Sequence, residues 1–100
     1  MKTLSLMLIV ATSAALACEP APDGKPPAVP TAEAAIARAK VAWSTAEPPL
    51  SSEYIAKFEP YRAVLQGEAW HVYGSPGWPG GTPEASICLS DGSVKVWHGQ

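Results

Sequence analysis

Few residues in this sequence have the types and neighbours that chemistry requires, and most of them fall between Pro60 and Gln100. The imidazoles are His71 and His98, and the thiols are Cys18 and Cys88. General acid–base work needs an imidazole and a carboxylate within hydrogen-bond reach, and Glu84 is the candidate partner for His71. The preferred reading gives His71 a structural place on a sheet face. Metal binding has little support, because the chain has no H-x-x-x-H, no C-x-x-C and no run of carboxylates. Cys88 would be the nucleophile, but a strand cysteine between Ile87 and Leu89 reads as buried and inert. Asp91 is accounted for by its turn with Gly92. No catalytic residue, metal or cofactor is expected from this set.

Recognition is better represented. Between Ser75 and Pro83, three prolines and three glycines surround Trp78. Such a loop is long but conformationally limited, and Gly80-Gly81 opens backbone angles closed to other residues. An indole at its tip suits a binding anchor, since tryptophan is enriched at interface hot spots. The alternative is that Trp78 folds back as extra core.

The elements that must position these groups are legible from caps and periodicity. Thr31 is an N-cap and Glu33 complements the helix dipole. Ala32, Ile36, Ala39 and Trp43 then recur at helical spacing, leaving Arg38 and Lys40 in solvent. Pro48-Pro49 end this helix. Ser51 or Ser52 caps a short second one, which stops before Pro60. Strands are expected over Tyr61–Gln66, Ala69–Gly74, Glu84–Leu89 and Ser93–Trp97, the last two joined at Asp91-Gly92. Helix, helix, then a four-stranded antiparallel meander is an α+β arrangement with the helices on one face. Period-two alternation gives that face Tyr61, Ala63, Leu65, Trp70, Val72, Ala85, Ile87, Leu89, Val94 and Val96. The opposite face receives Arg62, Val64, Gln66, His71, Tyr73, Ser86, Cys88, Lys95 and Trp97. Its mixture of aromatic and charged groups suits a recognition surface, and with Trp78 it supplies the expected partner contacts His71, Tyr73, Lys95 and Trp97.

The N-terminal third reads as delivery. Met1-Lys2, an apolar run from Leu4 to Ala11 and small residues up to Ala17 describe an export signal over residues 1–17. Residues 18–30 carry five prolines and few apolar groups, which predicts a stiff tether outside any core. The folded domain is then expected over residues 31–100. The residues before Cys18 resemble a bacterial lipobox, and Cys18 is read as a lipidation site anchoring the protein to the envelope membrane. The alternative is ordinary cleavage after Ala15-Leu16-Ala17, which frees Cys18 for a disulfide with Cys88. The 100 residues carry nine acidic and seven basic groups, a formal charge of −2, scattered singly. With no basic stripe, nucleic acid is not an expected partner.

With these residues in view, the chain from Thr31 to Gln100 resembles bacterial immunity proteins of the nuclear-transport-factor-two-like (cystatin-like) fold, found beside polymorphic toxins. The resemblance rests on the alanine-rich first helix, Lys57-Phe58-Glu59-Pro60-Tyr61-Arg62-Ala63-Val64-Leu65, Trp70-His71-Val72-Tyr73-Gly74, Gly80-Gly81-Thr82-Pro83-Glu84-Ala85 and the closing Asp91-Gly92 hairpin. It implies an α+β, non-enzymatic protein that binds and neutralises a cognate toxin in the periplasm or envelope. Two other readings stand beside it. One is a PepSY-like inhibitory or regulatory envelope domain acting on a peptidase. The other is a small-molecule binder of the same fold, with a sheet pocket around His71.

Overall fold

The computed structural model of the chain describes residues 18–75 and 81–98, the last by its backbone alone. The expected export signal and Trp78 therefore lie outside the described residues. Helix α1 spans Ala32–Thr45, and the Thr31 hydroxyl accepts the Ala34 N–H at 3.1 Å. Helix α2 is a short Ser52–Ala56 segment capped by Ser51, whose hydroxyl accepts the Tyr54 N–H at 3.1 Å. Four strands follow, β1 (Arg62–Gln66), β2 (Ala69–Tyr73), β3 (Pro83–Cys88) and β4 (Val94–His98). They form one antiparallel sheet in the order β1-β2-β3-β4. The fold is α+β, with both helices ahead of the meander, as the periodicities predict.

Register confirms the assignment of faces. Ala63 pairs with Val72 and Leu65 with Trp70, while Val72 and Trp70 pair with Ala85 and Ile87, and these with Val96 and Val94. This set faces the helices. Trp43, Ala39, Tyr61, Ile55, Val72, Ala85 and Ile87 form the buried core. The helical stripe keeps the expected Ala39 and Trp43 but continues upstream through Ala35. Ala35, Ala39 and Trp43 are the buried residues of α1, whereas Ala32 and Ile36 are half-buried. With alanine at 32, 34, 35, 37 and 39, side-chain size could not set the phase, and the wide Trp43 ring sets it four and eight residues upstream. Leu65 is also a correction. It stays exposed, on the edge strand beside the Gly67-Glu68 turn and outside the core.

Two cations expected in solvent are engaged. Lys40 pairs with Glu59 and lies 5.6 Å from the Tyr61 ring centroid. Arg38 reaches the Gly92 carbonyl at 3.5 Å, across the turn between β3 and β4. That turn has Gly92 at φ +78°, and Asp91 accepts both the N–H and the hydroxyl of Ser93. These two bonds hold the Asp91 carboxyl below its ordinary range.

The segment expected to be a free tether is fastened to the domain. Val29 is fully buried in the core. Ala28 and Val29 donate their N–H groups to Ser90 and Leu89 carbonyls at 3.0 Å, and the Trp70 indole donates to the Val29 carbonyl at 2.8 Å. A proline-rich stretch excludes helix but can still be laid flat, and a single valine suffices to seat it. Cys18 is bonded to Cys88 in a disulfide, with the two Cα atoms 5.3 Å apart. A thioether lipid and a disulfide require the same sulfur, so lipidated Cys18 is not the form described here. Cys88 is buried as expected but carries no free thiol.

The base of the 75–83 loop is closed by contacts not visible in the sequence. Gly74 donates its N–H to the buried Thr82 hydroxyl at 3.0 Å, and Ser75 donates to the Phe58 carbonyl at 2.8 Å. A Cβ on Gly74 would lie 2.7 Å from Phe58 Cβ and 2.9 Å from its carbonyl oxygen. Gly74→Ala should therefore lower stability by about 2 kcal/mol in urea unfolding of the oxidised protein, the usual cost of overpacking. A second expectation concerns Tyr61, whose buried hydroxyl donates to the Ile55 carbonyl at 2.7 Å. Burial first, then Glu59 and Tyr54, raises its pKa well above 10.0. The unfolded chain ionises at the ordinary value while the native phenol keeps its proton, so this contribution is intact below about pH 10 and is lost above it. Tyr61→Phe should flatten the alkaline decline in melting temperature.

Candidate recognition site on the outer sheet face

The face turned away from the helices is a grid of cross-strand rows. Arg62, Tyr73, Glu84 and Trp97 form one row from β1 to β4, and Val64, His71, Ser86 and Lys95 form the next. Neighbouring rows on one face are close enough for long side chains to meet diagonally. His71 uses that diagonal. Its Nε2 lies 2.7 Å from Glu84 Oε1, and the Glu84 side chain is only 6% exposed against 30% for His71. The acid–base pair placed second in the sequence reading does form.

Three aromatic rings gather around this carboxylate. His71 lies 5.4 Å from Tyr73 and stacks on Trp97 at 5.9 Å with 14° between the planes. Trp97 remains 39% exposed, a large ring for solvent to cover. Arg62 and Lys95 are exposed at opposite edges of the grid, leaving the face basic on a chain that is acidic overall. The structure thus brings together three of the expected partner contacts, His71, Tyr73 and Trp97. Lys95 stands across Ser86 from His71. Trp78 falls outside the described residues, and His98 ends β4 in register with Pro83, off this grid.

The central residue, Glu84, was not among the expected contacts. Its signal was weak, because the loop between β2 and β3 hides the register that brings positions 71 and 84 together. Alternation does place it on the face of Ser86 and Cys88. Glu84 is held from the other side as well. Its backbone carbonyl accepts the Trp43 indole N–H at 2.9 Å, tying α1 to the middle of the sheet.

The chemistry open to the pair follows from the donor. A carboxylate accepts, so Nε2 carries the proton, and in the neutral ring Nδ1 is the remaining base. Carboxylates orient imidazoles in this way both in catalysis and in metal binding. Among the described residues no hydroxyl or thiol hydrogen-bonds to His71 besides this contact, and no cluster of three His, Cys, Asp or Glu residues could hold a metal. The cavity at the β4 edge is lined by residues of α1, the 46–50 loop and β4, and His71 does not border it. The geometry gives the pair an orienting role, in which Glu84 fixes the imidazole and the imidazole stacks on Trp97.

His71→Ala should destabilise the oxidised protein by about 2 kcal/mol in urea unfolding, the scale of a hydrogen bond to a charged group. Glu84→Gln keeps an acceptor for the imidazole N–H and should cost less. Equal losses would mean that the contact is not the support described. Compared with known proteins, the chain matches no family model, no curated protein and no solved structure.

Proposed function

We propose that this chain is an exported, non-enzymatic protein-binding module, an immunity protein whose partner is a toxin acting in the cell envelope. The observation that carries the reading is the ring cluster Tyr73–His71–Trp97 supported on buried Glu84, with Trp97 39% exposed. A large ring already fixed by its neighbours loses little side-chain freedom on binding, which is what interface hot spots require. Flanking Arg62 and Lys95 favour a partner that presents acidic groups. The Cys18–Cys88 disulfide supports an oxidising compartment. A soluble exported form, not a lipid anchor through Cys18, fits that bond. No described helix is long and apolar enough to cross a membrane.

Immobilised oxidised protein, exposed to the solubilised envelope of the producing cell, gives the test. Trp97→Ala should reduce capture of the partner at least about fivefold while leaving the melting temperature nearly unchanged. Val41→Ala, at an exposed residue on α1, should not change it. Retained proteins that are indifferent to Trp97 would refute the outer face as the binding surface. A retained peptidase in place of a toxin would favour the PepSY-like inhibitory reading.

A further inference from the structure

The outward edge of β4 can be read from the hydrogen-bond alternation. The Cys88 N–H donates to the Ser93 carbonyl at 2.8 Å, continuing the register of Ser86 with Lys95 and Glu84 with Trp97. In an antiparallel pair bonded and non-bonded pairs alternate, so Ser93, Lys95 and Trp97 bond inward to β3. The N–H and C=O groups of Val94 and Val96 therefore point away from the sheet. β4 is an edge strand, with no neighbour beyond it among the described residues.

Beside Val96 lies a cavity of about 240 Å³. Its walls include Trp43, Pro48, Leu50, Val96 and Trp97, and Glu47 is the one ionisable residue among the described ones that line it. The volume is below the roughly 300–1,000 Å³ typical of small-molecule sites, so it suits one side chain of a larger ligand. Glu47 is exposed and makes no hydrogen bond or ion pair among the described residues.

We propose that this cavity is the anchor subsite for an extended peptide segment carrying a basic side chain, which adds to β4 as a fifth strand. Main-chain hydrogen bonds to Val96 supply the pairing, as in other strand-addition complexes. The aliphatic stem of the lysine or arginine lies against Pro48, Leu50 and Val96. Its cation meets the Glu47 carboxylate. A neutral polar side chain would leave Glu47 unmatched, and a purely apolar one would sit beside a carboxylate. The proposal requires only the edge and the cavity, and holds whatever protein the outer face binds.

The test uses the full chain with its disulfide intact and two blocked pentapeptides, Val-Thr-Arg-Thr-Val and the same peptide with citrulline, an uncharged isostere of arginine. Backbone and indole NMR shifts are followed during titration. The arginine peptide should bind at least about fivefold more tightly, with shifts centred on Val96 and Leu50. Glu47→Gln should abolish that preference without altering the spectrum elsewhere. Equal binding of the two peptides would overturn the basic-side-chain assignment. Saturating shifts away from the β4 edge, or no saturable shifts at millimolar peptide, would overturn the site.

Discussion

A carboxylate with almost no solvent access in the central part of a small sheet is costly unless its surroundings hold it, and here that residue is Glu84. It sits on β3, which is bonded on both sides, and it is used from both faces. On the helix side its backbone carbonyl takes the Trp43 indole, the largest fully buried side chain among the described residues. On the other side its carboxylate takes the His71 ring, which in turn stacks on Trp97. The docking of α1 and the order of the outer face therefore pass through one position. Placing a polar contact there narrows the registers in which β2, β3 and β4 can pair, because a one-residue slip would turn the carboxylate into the hydrocarbon core.

A domain of this size buries little surface, and two further devices compensate. Val29 fills the core from outside the regular elements, and the disulfide closes a separation of 70 residues. In the chain-entropy description a loop of that length is worth roughly 4 kcal/mol, comparable to much of the stability of a small domain. By alternation Cys88 shares the outer face with Glu84 and Ser86, so Cys18 is tied to that side while Val29 enters the core on the other. The N-terminal segment is thus fastened to both sides of the sheet at the end of β3.

The architecture was legible because its signals are local. Thr31 and Ser51 cap their helices where expected, Gly67 and Gly92 take positive φ at the two tight turns, and strict alternation sorts the strand faces. What was not legible depends on distance in three dimensions. The His71–Glu84 pair could be named only as the less favoured reading, because it spans 13 positions and an intervening loop and only the register aligns it. Cys18 and Cys88 offered two chemistries, and spacing alone could not choose between them. Val29 carries no signal apart from being apolar among prolines. Ala39 and Trp43 were placed correctly, but the upstream end of the α1 stripe was lost to its many alanines, which bury equally well on either side of Ile36.

The account makes the outer face a surface ordered before any partner arrives, with Glu84 holding His71 and His71 supporting Trp97. The state of one ring tests this most directly. In free, oxidised protein, long-range nitrogen–proton NMR correlations report whether Nε2 of the His71 ring carries a proton and how fast that proton exchanges. The account predicts the Nε2–H tautomer, with a proton protected from solvent exchange. A ring that averages rapidly between tautomers, or carries its proton on Nδ1, would contradict it.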